Sequence, residues 1–208
     1  MSSLGHDRVG LGDVEPAGSR HLGRRSSVVV CDERIVVGTA TGDVVSFDAA
    51  LDEQWRVGSA EASDNLVSIG AHEGKVVVGE RGAAGAVRCY DATTGDLCWE
   101  YETASDVGDP QTETRFLLPF VADIATDGEA WYVAGRRYER TDGARQFRSV
   151  VYRFDADGNP DWKYETDASP ISLDVRNDRL AVAYNRCPGD HQCGLVVLET
   201  ATGSERLT

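Results

Sequence analysis

Four stretches of this chain share one layout, and that repetition limits the fold more than any other feature. SFDAALDEQW ends at Trp55, CYDATTGDLCW at Trp99, RFDADGNPDW at Trp162 and VLETATGSERL at Leu207. Asp48 and Asp91 are 43 residues apart, Trp55 and Trp99 are 44, and Asp155 and Glu199 are 44. The middle step, Asp91 to Asp155, is 64, so one unit carries about twenty extra residues. A unit of this size cannot enclose a core by itself and must stack on its neighbours, as propeller blades or paired helices do.

The apolar pattern chooses between the two. RIVVGTATGDVVSFDA, KVVVGERGAAGAVRCYDA, AWYVAGRRYE with SVVYRFDA, and RLAVAYN with GLVVLETA are short Val-rich runs broken by glycine-bearing turns. Branched and aromatic side chains fit a pleated strand, and no segment holds a 3.6-residue apolar stripe. The expected class is all-β. Strands are expected at Ser26 to Cys31, Arg34 to Ala40, Asp43 to Ala49 and Gln54 to Gly58 in the first unit. The second gives Leu66 to Ala71, Lys75 to Arg81, Ala86 to Ala92 and Leu97 to Thr103. The third gives Val121 to Thr126, Ala130 to Tyr138, Ser149 to Ala156 and Asp161 to Glu165, and the fourth Ile171 to Arg176, Leu180 to Asn185, Gly194 to Thr200 and Glu205 to Leu207.

Four antiparallel strands per repeat make one propeller blade. The predicted fold is therefore a β-propeller of four-stranded antiparallel blades, about four in this chain, at 26–60, 64–103, 119–166 and 169–208. Residues 1–25 read as a flexible N-terminal segment or a closing strand. Sheets that do not close leave an edge at each end. Four blades imply a small closed ring, a half-ring that a second copy completes as a homodimer, or part of a longer protein.

The repeated stretch itself reads as a structural joint. In DATTGD the Asp can accept backbone N–H groups two residues on, and Gly95 can take positive φ without steric cost, so the third strand folds back tightly. Trp99 then offers a large apolar face to the next blade. On these residues the chain resembles the quinoprotein-like (PQQ-like, BamB-type) β-propeller family, whose repeat runs Ala-x-Asp-x-x-Thr-Gly-x-x-x-Trp. The match is carried by Asp91, Thr94, Gly95 and Trp99, by Asp48 and Trp55, by Asp155, Gly158 and Trp162, and by Thr202 and Gly203. Cys89 replaces the usual Ala, Glu199 the Asp and Leu207 the Trp.

The resemblance implies two kinds of relative. Quinoprotein dehydrogenases close seven or eight blades around PQQ and calcium, and many hold two adjacent cysteines over the quinone. No two cysteines are adjacent here, and no Cys-x-x-Cys-His haem site is present. Members without those features resemble scaffolds or sensor domains that bind other proteins. The expected function is a non-catalytic scaffold with an unknown protein partner and no cofactor; a PQQ- or calcium-binding quinoprotein fragment, or a sensor part of a larger protein, is the alternative. With four scattered histidines and no nucleophile motif, no catalytic residue is assigned.

Charge narrows the partners. The chain holds 35 acidic against 21 basic residues, a net charge of -14, and of the basic residues only Lys75 and Lys163 are lysines. Such a surface repels nucleic acid and anionic membranes. Excess Asp with almost no Lys resembles the proteins of salt-accumulating halophilic archaea, where molar salt shortens the Debye length to about 3 Å and quenches self-repulsion. No apolar run approaches a membrane span, and the N-terminus lacks the basic start and apolar centre of a secretory signal, so a cytoplasmic location is expected.

Three further groups stand out. GRRYERTDGARQFR carries Arg136, Arg137, Arg140, Arg145 and Arg148 against Glu139 and Asp142; guanidinium binds carboxylate and phosphate bidentately, which makes this loop the best interaction surface, unless the arginines pair with acidic neighbours. In RCPGDHQCG, Cys187 and Cys193 sit at the mouth of a hairpin loop, where they offer a disulfide, a metal site with His191, or no special role. Cys89 and Cys98 flank the ATTG turn symmetrically, and a bulge there would break their register. Asp123 and Asp174 fall on expected innermost strands, as cation ligands or as polar lining.

Overall fold

The computed structural model describes residues 27–39, 41–58, 65–112, 114 and 116–206. Residues 1–25, Ser26, Ala40 and Leu207, all assigned above, lie outside them. Four antiparallel sheets follow one another along the chain, each built in strand order. The first holds β1 (Val28–Cys31), β2 (Arg34–Gly38), β3 (Val44–Phe47) and β4 (Glu53–Val57); the second β5 (Asn65–His72), β6 (Lys75–Arg81), β7 (Ala86–Asp91) and β8 (Leu97–Glu102). The third holds β9 (Phe120–Thr126), β10 (Trp131–Thr141), β11 (Ala144–Phe154) and β12 (Pro160–Thr166), and the fourth β13 (Ser169–Arg176), β14 (Arg179–Arg186) and β15 (Leu195–Glu199). The second and third sheets touch edge to edge through a single pair, Arg81 with Phe120, so they are two blades and not one sheet.

The blades stack through their faces. The inner strands β1, β5, β9 and β13 lie side by side in that order. Between the first two blades lie Cys31, Val36, Val44, Val76, Val78 and Tyr90; between the second and third, Val77, Val87, Trp99, Val133, Tyr152 and Phe154; between the third and fourth, Tyr132, Ala134, Leu173, Leu180, Val182 and Leu198. Because side chains alternate along a strand, each inner blade is apolar on both faces, which is why the Val runs are continuous. At the free end of the first blade, Val28 and Val30 are 44% and 69% exposed.

Two-residue turns close two of the hairpins: Glu73 with Gly74 joins β5 to β6, the first and second strands of their blade, and Asp142 with Gly143 joins β10 to β11, the second and third strands of theirs, both at positive φ as the twist of a tight hairpin requires. Three boundaries differ from the sequence reading. β10 and β11 run on as an 11-residue pair, because the alternation continues through RRYERT and ARQFR. A one-turn helix, α1 (Ala104–Val107), with the segment up to Pro119, takes up most of the remaining extra length. Among the described residues, the fourth strand of the last blade is one bridge, Leu198 with Glu205. Topology then sorts the loops: the Asp turns all lie at one end of the blades, while the long hairpin, α1 and the Cys187–Cys193 loop lie at the other.

Candidate functional site

At the Asp-turn end, each Asp holds its turn by accepting backbone N–H groups. Asp48 Oδ1 accepts from Ala50 and Asp52 at 2.9 and 3.0 Å, Asp91 Oδ1 from Thr93 and Thr94 at 2.9 and 3.1 Å, and Asp155 Oδ1 from Asp157 and Asn159 at 2.9 and 2.8 Å. The Thr93 N–H first, then that of Thr94, holds the Asp91 carboxyl below the usual range, and Asn159 does so for Asp155. The turn glycine receives the tryptophan of the preceding blade: Trp55 lies on Gly95, Trp99 on Gly158 and Trp162 on Gly203. Trp55 Nε1 donates to the Ala92 carbonyl at 3.0 Å and Trp162 Nε1 to that of Thr200 at 2.8 Å, while Trp99 Nε1 is buried with no acceptor among the described residues. The first blade departs from this: its turn position is Leu51, a leucine at φ +68. Thr94 adds a hydrogen bond from its hydroxyl to Asp96 at 2.8 Å.

The opposite end carries the chemistry left over from the joints. The long hairpin divides its arginines between two sides. Arg137 follows Val133 and Gly135 toward the second blade; it is buried, donates from Nε to the Val107 carbonyl at 2.9 Å, and pairs with Glu139 at 2.6 Å. Arg148 approaches the same Glu139 at 3.7 Å. Arg136 follows Tyr132 and Ala134 toward the fourth blade, on the side of Tyr138, Arg140, Phe147 and Arg145. Its guanidinium lies 4.8 Å from the Phe120 ring centre and 5.8 Å from that of Phe147. Among the described residues Arg136, Arg140, Arg145 and Arg186 have no carboxylate within ion-pair distance, whereas Arg56, Arg88, Arg137, Arg153 and Arg206 each have one. The structure thus separates one structural arginine, Arg137, from four that meet no carboxylate among the described residues.

Beside the hairpin a groove of about 620 Å³ opens between the third and fourth blades, lined by Arg148, Tyr164, Glu165, Asp167, His191 and Glu205, among others. Much of its polarity is already engaged. Tyr164 donates to Glu205 at 2.5 Å, and Asp167 accepts the backbone N–H groups of Asp190 and His191 at 2.6 and 2.9 Å. That pins the RCPGDHQCG loop. Cys187 Sγ and His191 Nε2 both face the Cys193 carbonyl, at 3.4 and 2.9 Å, so Cys187, His191 and Cys193 are not arranged around a common metal position. All five cysteines are free thiols. Cys98 is the extra residue of a bulge that leaves Trp99 opposite Cys89 and Leu97 opposite Tyr90.

The calcium expectation is tested at the inner strands. Asp123 is buried, but its Oδ2 accepts the Leu173 N–H at 2.7 Å and its Oδ1 the Ile124 N–H at 3.0 Å, so it ties β9 to β13. Asp174 lies exposed on β13, and no group of three His, Cys, Asp or Glu side chains among the described residues is placed to hold a cation. These residues do not fit a calcium ion. Sequence reasoning missed Arg81, Arg186 and Phe120, which are scattered one per blade, and also a polar knot around Asp106. There Lys163 Nζ donates to Asp106 at 2.7 Å and to Tyr101 at 2.8 Å, while Tyr101 and Tyr152 donate to Asp106 at 2.6 and 3.1 Å.

Residues 40–208 match the PQQ-type family described as outer membrane protein assembly factor BamB. A quinohemoprotein alcohol dehydrogenase of Comamonas testosteroni is 29% identical over 156 residues, which make up 70% of this chain and 21% of that one. BamB from Moraxella catarrhalis superposes on 86% of this chain with 50% of its own, at a TM-score of 0.57 and 22% identity. The quinohemoprotein alcohol dehydrogenase ADHIIG from Pseudomonas putida HK5 covers 86% of this chain with 33% of its own, at 0.63 and 16%. The chain spans between a fifth and a half of the length of these relatives, and the two superpositions show a shared β-propeller fold. Stacked blades, three of them with an Asp turn, and a match that runs from within the first blade through the fourth lead to one conclusion: the chain belongs to the PQQ-type β-propeller family of the outer membrane protein assembly factor BamB.

Proposed function

We propose that this chain is a non-catalytic β-propeller scaffold that binds an acidic protein segment on its loop-bearing end, through the side of the long hairpin that carries Arg140 and Arg145. The observation behind this reading is the pair Arg140 and Arg145: in a chain of net charge -14 carboxylates are plentiful, yet among the described residues neither side chain has one within ion-pair distance. An acidic segment would neutralise them with charge-assisted hydrogen bonds, and a rigid two-stranded arm presents them at little entropic cost. The membership of an assembly factor, BamB, in the same family is consistent with such a role.

The test is a titration of a fluorescein-labelled octaglutamate peptide, followed by anisotropy at two salt concentrations. The expected result is saturable binding that weakens with salt and is lost in Arg140→Ala/Arg145→Ala. Binding that survives this double substitution overturns the surface. A second reading, a quinoprotein fragment, is favoured by the 29% identity to a quinohemoprotein dehydrogenase. An absorbance titration with PQQ and calcium separates the two, since saturable uptake of PQQ supports the second reading.

A further inference from the structure

The notch where the second, third and fourth blades meet at the loop-bearing end holds an arrangement the scaffold reading does not use. Arg81 ends β6, Arg136 pairs with Phe120 across β10 and β9, and Arg186 ends β14 opposite Ser169. Three blades thus each deliver an arginine to one end of the molecule. The guanidinium groups of Arg81 and Arg136 lie 4.3 and 4.8 Å from the centre of the same Phe120 ring. Arg81 is buried; Arg136 is part-exposed overall, but its Nε is sealed from solvent and has no hydrogen-bond partner. Burial, followed by the nearby charges of Arg81 and Arg186, brings the Arg136 guanidinium down to about 10.

Two like charges on one ring, with a third nearby, oppose one another, and cation–π contact with Phe120 offsets only part of that. An enclosed guanidinium normally meets a carboxylate, because desolvating it unpaired is expensive. Arg88, equally enclosed, meets both Glu80 and Glu100. Arg136 meets neither a carboxylate nor a carbonyl among the described residues, although the protein has 35 acidic side chains to offer. An enclosed N–H donor without an acceptor among the described residues, with other arginine charges nearby, is a donor set from which a small oxyanion can accept.

We propose that Arg136, over Phe120, and the neighbouring Arg186 form a binding site for a small oxyanion, a phosphate or a carboxylate. The Arg136 Nε and the Arg186 guanidinium donate to its oxygens, and Arg81 supplies further positive charge. The site stands independently of the acidic-segment reading, which rests on Arg140 and Arg145 further along the hairpin.

The experiment is isothermal titration calorimetry of the full chain with sodium phosphate and, separately, sodium acetate, with ionic strength held constant by sodium chloride. One equivalent of saturable binding is expected for at least one anion; preference for phosphate or acetate identifies the source. Arg136→Gln should weaken it by about ten-fold or more, the loss of one charged donor pair. Arg186→Gln, an exposed position, should weaken it without disturbing the fold, and Arg140→Gln should leave it unchanged. A parallel readout is the thermal midpoint, which the anion should raise in the parent chain and not in Arg136→Gln. Absence of saturable binding with either anion, or equal affinity in parent, Arg136→Gln and Arg186→Gln, overturns the proposal. Octaglutamate binding lost while phosphate binding persists would remove the scaffold surface and leave this site standing, and the reverse outcome would do the opposite.

Discussion

A Cβ added to Gly158 would stand 2.5 Å from Cδ2 of Trp99, well inside van der Waals contact. The same close approach recurs at Gly95 beneath Trp55, at 2.8 Å, and at Gly203 beneath Trp162, at 2.7 Å. The second, third and fourth blades therefore each receive the indole of the one before at a position where only glycine fits. Two requirements coincide there, because these glycines also sit at φ +78, +83 and +70.

Gly158→Ala tests that coupling. The left-handed backbone costs an alanine about 1–2 kcal/mol, and displacing a packed indole adds about 1–3 kcal/mol. Chemical unfolding followed by tryptophan fluorescence should show a loss of about 2–5 kcal/mol together with a red-shifted native spectrum. Gly143→Ala, also at positive φ but with open space around its Cβ, should show only the backbone part, about 1–2 kcal/mol, and no spectral shift. Equal losses at the two positions would mean that the indole contact contributes nothing.

The arginines of the hairpin should behave in two distinct ways. Arg137 and Glu139 are 5% and 8% exposed and pair at 2.6 Å, so Arg137→Ala leaves an enclosed carboxylate and a free Val107 carbonyl. Breaking a buried pair from one side costs about 3–5 kcal/mol. Arg140 is exposed, and its backbone, not its side chain, bonds Gln111, so Arg140→Ala should change stability by less than about 0.5 kcal/mol. Denaturant midpoints of the two variants should differ accordingly.

Acid should act through the knot at Asp106. Burial pushes its carboxyl up, but hydrogen bonds from Lys163, Tyr101 and Tyr152 outweigh that, and its net position is below the usual value. A folded value below the unfolded one gives stability that is full above the unfolded value, about pH 3.9, and is lost as pH falls through the folded value. Unfolding free energies measured from about pH 6 down to about pH 3 should therefore fall more steeply in the parent than in Asp106→Asn. Parallel curves would show that the knot does not titrate in this range.

Much of this architecture was legible in the sequence because its causes are local. Val runs, Asp-x-x-Gly turns and the recurring Trp are set by strand and turn chemistry, and each fell where the structure has it. The hairpin side that each arginine occupies was not legible, because alternation puts Arg136 and Arg137 on opposite faces without saying which neighbour each face meets: stacking set Arg137 toward Val107 and Arg136 toward the fourth blade. The notch around Phe120 was invisible for another reason. Its arginines lie 55 and 50 residues apart, at Arg81, Arg136 and Arg186, and only stacking brings them to one end.

The seam at Leu51 yields the prediction that decides how the ring is completed. Three blades receive a tryptophan over glycine, but the first blade presents Leu51 at that position, with φ +68, and a side chain where the indole would lie. In the fourth unit Leu207 stands at the position that is Trp in the other three. A leucine needs less room over Leu51 than an indole does, and Val28 and Val30 on the first blade are exposed. On this basis the first blade of one copy should accept the fourth blade of another, which gives two equivalent seams and an eight-bladed ring. Light scattering coupled to size exclusion in molar salt should then report twice the 22.5 kDa chain mass. Leu51→Glu should convert it to a monomer with the same far-ultraviolet dichroism, since a carboxylate would be desolvated twice in the closed ring. A parent chain that is already monomeric at tens of micromolar would place ring completion elsewhere.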